Sequence, residues 1–246
     1  MQLSVTFSSR NSPIYLPLAS SDIIQGFLYR SLSADPAYAG FLHEKGNTDG
    51  IRSFKLFCFS ELSCAGRYEV NSADRTISYL SDISLEIRSV QPYFIGLLFS
   101  RFTSHPTATI GGNTVEVKNP RLGDAHLFSE CVRVKTKSPI TVYRTEDNGH
   151  TTYFSPEEER FYESVKSNAR RKWRSMNGSD KGFSLKVSPA YGCRYVRRMT
   201  RFKSTFITAW HGEFILEGNP QTLDFLYQTG LGSKNSQGFG LFEVIE

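Results

Sequence analysis

Cysteine is scarce in this chain of 246 residues: Cys58, Cys64, Cys131 and Cys193 are the only four. None forms a CxxC pair and none stands at zinc-ligand spacing, so a zinc module is excluded and reduced, mostly buried thiols are expected. Long apolar runs are missing too. The longest, Tyr93–Phe99, falls far short of the roughly 20 residues that a membrane-spanning helix needs. The opening segment, MQLSVTFSSR, lacks the basic region and apolar stretch of a secretory leader, and a cytoplasmic protein with no membrane partner is expected. The GxxxxGK[ST] phosphate loop, the dinucleotide fingerprint and the GxSxG elbow are all absent, which counts against the nucleotide and hydrolase classes they mark. Acidic clusters are limited to Glu157–Glu159, which a helix start explains, so no carboxylate pair is spaced to hold two metal ions. No metal and no cofactor are expected.

What the chain does have is basic charge in one place. Its net charge is +5, but the stretch from Arg160 to Lys203 carries thirteen Lys and Arg against two acids, a local +11 that leaves −6 for the rest. A basic block on an acidic body is the electrostatic footprint of a nucleic-acid binder, and the bland alternative is a solvated helix face.

Apolar and polar residues alternate over Met1–Phe7, as in a half-buried strand. Ser20, Ser21 and Asp22 can cap a helix reaching Ser33, and Asp35-Pro36 restarts the chain into a short helix ending near His43. Phe54–Phe59 reads as a strand, and Arg67–Val70 with Ile77–Leu80 continues its sheet. Ile83–Ile87 leads to a helix from Gln91 or Pro92, then to strands at Thr107–Ile110 and Thr114–Val117. A second round starts with Cys131–Lys135 and a hairpin of Ile140–Tyr143 with Thr151–Phe154. Ser155 is set to cap a helix running to Met176. Phe183–Val187, Arg194–Arg198, a long Lys203–Leu216 strand, a helix opened by Asn219-Pro220 and a strand at Phe239–Ile245 complete it. Each round has the order β-α-β-β-α-β. The expected fold is therefore α+β, two tandem ferredoxin-like domains over residues 1–125 and 126–246, with the junction between Gly123 and Cys131.

The most informative segment is Gly230–Gly240, GLGSKNSQGFG, whose four glycines alternate with Ser233, Lys234, Ser236 and Gln237. Such a loop can turn successive amides toward an anion. Gly230–Phe242 resembles the C-terminal glycine-rich loop of the CRISPR repeat-processing endoribonucleases, the Cas six family of the RAMP superfamily. The similarity continues through Thr208-Ala-Trp-His211 and returns near the N-terminus in Gln25-Gly-Phe-Leu-Tyr29, Phe41-Leu-His-Glu44 and Phe54-Lys-Leu-Phe57.

The resemblance implies two ferredoxin-like domains that cut CRISPR precursor RNA inside its repeats to release guide RNAs. It implies attack by the RNA's own 2′-hydroxyl, a 2′,3′-cyclic phosphate product and no metal ion. By motif match His43 takes the place of the general acid/base, Tyr29 of its partner hydroxyl and Lys55 of the cation near the scissile phosphate. The chemistry of each residue type agrees: histidine gives and takes protons near neutrality, and a positioned cation stabilises charge that develops in the transition state. Without the match, His43 reads as the end of a short helix, Tyr29 as core and Lys55 as a solvated strand residue. The expected RNA contacts are the loop residues Gly230, Gly232, Ser233, Lys234, Ser236, Gln237 and Gly238, with Lys186, Arg194, Arg197, Arg198, Arg201 and Lys203 on or beside a basic hairpin. Tyr191, Tyr195 and Phe202, interleaved with these basic residues, are base-stacking or core residues. The expected partner is CRISPR repeat RNA or the processed guide. Other CRISPR effector subunits and a second copy of the chain are the remaining partner classes. A guide-binding subunit that does not cleave is the alternative function.

Overall fold

The computed structural model describes residues 1–9 and 13–245. Its first half contains β1 (Gln2–Ser8), α1 (Ser21–Ser31), α2 (Pro36–Glu44), β2 (Phe57–Phe59), β3 (Ile83–Ser89), α3 (Pro92–Ser104), β4 (Thr107–Ile110) and β5 (Asn113–Leu122). These strands form an antiparallel sheet in the order β4-β5-β1-β3-β2. The second half contains β6 (Cys131–Thr136), α4 (Glu159–Asn177), β7 (Lys186–Pro189), β8 (Val196–Phe202), β9 (Thr205–His211), β10 (Glu213–Glu217), α5 (Pro220–Thr229) and β11 (Phe242–Val244). Here the sheet order is β7-β10-β6-β11, and β8 with β9 makes a separate two-stranded ribbon. Without edge strand β4, the four strands of each sheet, taken in chain order, lie as fourth-first-third-second. That is the split β-α-β arrangement of a ferredoxin-like unit, present twice.

Local chemistry accounts for these elements. In β1 the alternating Leu3, Val5 and Phe7 are buried, and α1 lays Ile24, Phe27 and Leu28 on the same core. Asp35 accepts the Tyr38 amide at 2.9 Å and Asn219 accepts the Thr222 amide at 2.8 Å, each followed by a proline in the first helical turn. The second core gathers Phe161, Trp210 and Phe214 between α4 and the sheet.

A polar seam joins the halves. Arg88 on β3 is 2% exposed and donates to the carbonyls of Phe242 (2.6 Å) and Tyr227 (3.3 Å), with its guanidinium 3.5 Å from the Tyr227 ring centre. Glu86 bridges Arg88 to Lys137, the latter at 2.5 Å. Unpaired, these buried charges would be costly; linked, they tie the two sheets together.

Several expected boundaries move. Phe54–Phe59 is broken, because Leu56 takes a left-handed backbone (φ 51°) and separates Arg52–Phe54 from β2. Tyr68–Asn71 and Thr76–Tyr79 do not extend the main sheet; Thr76–Tyr79 pairs on one side with Tyr68–Asn71 and on the other with Ile14–Pro17, in a sheet of their own. The long strand ending at Leu216 is cut at Gly212 into β9 and β10, which pair with different neighbours. Ile140 bridges Trp210, so the expected hairpin pairs only at Tyr143–Thr145 with Thr151–Tyr153. Ser155 does not cap α4: that helix starts after Glu158, whose carboxylate instead accepts the Ser155 amide at 2.8 Å. The final strand shortens to Phe242–Val244, since Phe239 and Leu241 belong to the buried loop before it. The cysteines are free, but only Cys58 is buried; Cys131 is exposed on an outward position of β6. Among the described residues no helix is long and apolar enough to cross a membrane.

Candidate functional site

The interruption at Leu56 is what opens the site. Leu56 packs into the second core while its neighbour Phe57 packs into the first, so the chain crosses between the halves at this point. Lys55 is thereby turned out of the sheet, and its Nζ donates to the main-chain carbonyl of His43 at 3.0 Å. Partial burial lowers the pKa of its ammonium from the ordinary lysine value. His43, exposed in the last turn of α2, lies edge-on to the half-buried Tyr29 ring with centroids 5.4 Å apart. Burial, with Tyr38 nearby, pushes the Tyr29 hydroxyl up to about 12, so it stays protonated across the physiological range. The three residues singled out by motif are thus brought together from α1, α2 and the segment before β2.

Beside them lies a cleft of about 1100 Å³ between the halves. Lys55 and Arg52 line it from the first half; Arg144, Arg160, Arg171 and Lys234 line it from the second. Residues 160, 163, 164, 167, 168, 171 and 172 of α4 all border it, the three-and-four spacing of one helix face. The loop contributes Ser233 through Gln237. The amides of Lys234, Asn235 and Ser236 find no acceptor among the described residues. Lys234 also stands 5.1 Å from the centre of the Tyr143 ring. The cleft is cationic, carries unpaired donors and has an aromatic wall, which suits a phosphate backbone with an unpaired base.

Gly230, Gly232 and Gly238 are buried and shape the loop without lining the cleft. A Cβ on Gly232 (φ 68°) would come within 2.7 Å of the Thr141 carbonyl, and one on Gly238 (φ 89°) within 2.7 Å of the Phe59 ring. Gln25, part of the N-terminal motif, reaches across to donate to the Ser236 carbonyl at 2.6 Å, so both halves hold the loop.

A model of the C-terminal part of CRISPR associated protein Cas6 matches residues 122–244. The chain belongs to the Cas6 family. Across 233 residues it is 27% identical to the CRISPR-associated endoribonuclease Cas6 1 of Methanocaldococcus jannaschii, covering 87% of this chain and 81% of that protein. Across 242 residues it is 25% identical to the CRISPR-associated endoribonuclease Cas6 of Pyrococcus furiosus, covering 90% and 80%. Among solved structures, one described as CRISPR associated protein Cas6 aligns with a TM-score of 0.78 at 22% identity over 100% of this chain and 99% of that one. Another, described as a RAMP protein binding different RNA substrates, aligns with a TM-score of 0.83 at 20% identity over the whole of both chains. At these identities the structures establish the shared fold.

The basic hairpin of this Cas6 chain stands apart from the cleft. In the β8–β9 ribbon Arg197 and Arg201 share one face with the exposed Met199 and Phe206. Arg198 lies on the other face and pairs with Ala209, while Arg194 and Lys203, just outside β8, are exposed. Arg197 instead lines a smaller hollow of about 490 Å³ with Tyr153, Tyr195 and Trp210. Lys186 is spent on Glu217 at 2.7 Å, across the outer edge of the second sheet. Of the interleaved aromatics, Phe202 is buried, Tyr195 stacks on Phe214 and Tyr191 is fully exposed. His211 is hydrogen-bonded to Thr136 Oγ1 at 3.1 Å and lies 3.3 Å from Glu61.

Arg52, Arg144, Arg160 and Arg171 were not singled out from sequence. They come from three segments, and only the helical spacing of Arg160 and Arg171 on α4 left a trace there.

Proposed function

We propose that this Cas6 chain is an endoribonuclease that cleaves CRISPR precursor RNA within its repeats and releases guide RNAs. The observation that carries the reading is Lys55, which touches His43 on one side and lines the cationic cleft on the other. A strand of RNA lying along the cleft would bring a phosphate to Lys55 with His43 and Tyr29 alongside.

The 2′-hydroxyl loses its proton to a base and its oxygen bonds to the adjacent phosphorus. The bond from phosphorus to the 5′-oxygen then breaks, and a proton is delivered to that oxygen. A 2′,3′-cyclic phosphate and a 5′-hydroxyl result, with no metal ion required. His43 is the proton carrier and Lys55 stabilises the phosphorane charge. The protonated Tyr29 acts as hydrogen-bond donor, in keeping with its raised pKa. Residues 1–125 form the domain that supplies these groups, and residues 126–246 the domain that supplies the loop and most of the cleft's arginines. Ser233, Lys234, Ser236 and Gln237 hold phosphates, and the ribbon arginines hold a more distant part of the repeat.

The test is incubation of the protein and its His43→Ala variant with the host's CRISPR repeat RNA in EDTA, reading fragment size and end groups. One wild-type cut ending in a cyclic phosphate, and lost in the variant, is expected. Tight binding without any cut would replace this reading with that of a guide-binding subunit.

A further inference from the structure

We propose that Lys172, helped by Asn168 one turn earlier on α4, is a positioning residue that sets the glycine-rich loop and supplies buried positive charge beneath the bound phosphate. The proposal rests on reading that loop as an RNA-binding element.

Lys172 is 2% exposed, and its Nζ donates to the carbonyls of Thr229 (3.3 Å) and Gly230 and to Asn235 Oδ1 (2.9 Å). The first two end α5, where a cation meets the negative end of the helix dipole. Asn235 is the clasp of the loop: its side-chain amide donates to the carbonyls of Leu231 (2.8 Å) and Phe239 (3.0 Å), drawing the two arms together. Asn168 Nδ2 meets Ser233 Oγ at 3.1 Å. Two side chains four residues apart on one helix face therefore hold the start, the middle and the clasp of the loop.

No carboxylate among the described residues lies within ion-pair distance of Lys172. The titratable group that most affects it is the thiol of Cys58, which burial pushes up to about 12 and so keeps neutral. A buried cation without a counter-charge is costly, and within the fold only its three hydrogen bonds offset that cost. Lys172 nevertheless borders the cleft together with residues 234–236, whose amides are unpaired, and bonds the side chain of the middle one. Its carbonyl partners are drawn inward, away from an incoming anion. The counter-charge that the fold omits is the RNA phosphate.

The experiment compares wild type with Lys172→Met, Lys172→Gln and Asn168→Ala. Three quantities are read: affinity for repeat RNA carrying a 2′-deoxy block at the cut, hydrogen exchange of the loop without RNA, and melting temperature. Lys172→Met is expected to bind roughly tenfold more weakly, with faster exchange over residues 230–240 and a lower melting temperature, because three buried acceptors lose their donor. Lys172→Gln, which keeps two donors but no charge, recovers the slow exchange and only part of the affinity. Asn168→Ala loses affinity in the same direction to a smaller degree, and carries the test if the Lys172 variants do not fold. Unchanged loop exchange and affinity in Lys172→Met would overturn the proposal. Faster loop exchange in Lys172→Met, together with a wild type that fails to bind repeat RNA, would instead sink the RNA reading and leave the brace intact.

Discussion

Leu56 holds a backbone conformation that a branched residue adopts at some cost, and the cost is met by burying its side chain in the second core. Lys55 gains its position from that one residue. Replacing Lys55 with Ala is expected to slow single-turnover cleavage by about 10²–10³-fold, the range for losing one preorganised transition-state contact, with a much smaller change in RNA affinity. Lys234 reports on a different function. Lys234→Ala should weaken binding of all RNAs and reduce the slope of log affinity against log salt by about one, because one phosphate contact is removed. A titration of affinity from low to moderate salt checks it. The roles of His43, Tyr29 and Lys55 were suggested by short motifs, and their proximity in space supports the suggestion without testing it. The cleft arginines were not legible, because nothing in a linear sequence shows that Arg52 and Arg144 end on opposite walls of one cleft.

At the scale of the element, the glycine-rich loop behaves as a packed object with a rigid outline. Gly232→Ala forces a left-handed alanine against the Thr141 carbonyl and should lower unfolding free energy by about 1–3 kcal/mol, read as a shift of the denaturant midpoint. The helix α4 shows how far sequence reasoning reaches. Its basic content was plain, yet the buried Asn168 and Lys172 were indistinguishable from solvated neighbours until the loop was seen to fold over them. The order of the main elements along each half was legible because period-two alternation and most helix starts are local signals. The breaks at Leu56 and Gly212 were not, since each arises from the demands of two different sheets on adjacent residues.

For the molecule as a whole, two buried titratable groups, Lys172 and Cys58, make stability depend on pH in a defined window. Burial pulls the Lys172 ammonium down to about 7 in the folded chain, whereas the unfolded chain keeps that proton until about 10.5. Between those values the unfolded state binds more protons, so stability rises with pH. The raised thiol of Cys58 acts oppositely above about pH 9, where the unfolded thiol ionises and the folded one does not. The unfolding free energy from denaturant titrations should therefore climb from pH 7 to 9 at roughly 1 kcal/mol per pH unit, and Lys172→Met should flatten most of the climb.

The loop is clasped by Gln25 and Phe59 from one half and by Asn168, Lys172 and Thr141 from the other. During synthesis on the ribosome, Lys234 emerges 191 residues after His43. At about 5–20 residues per second that is a delay of roughly 10–40 s. Through that interval the nascent chain carries the proposed cutting groups but lacks the platform that would hold a transcript against them, and so is born inert toward the RNAs around it.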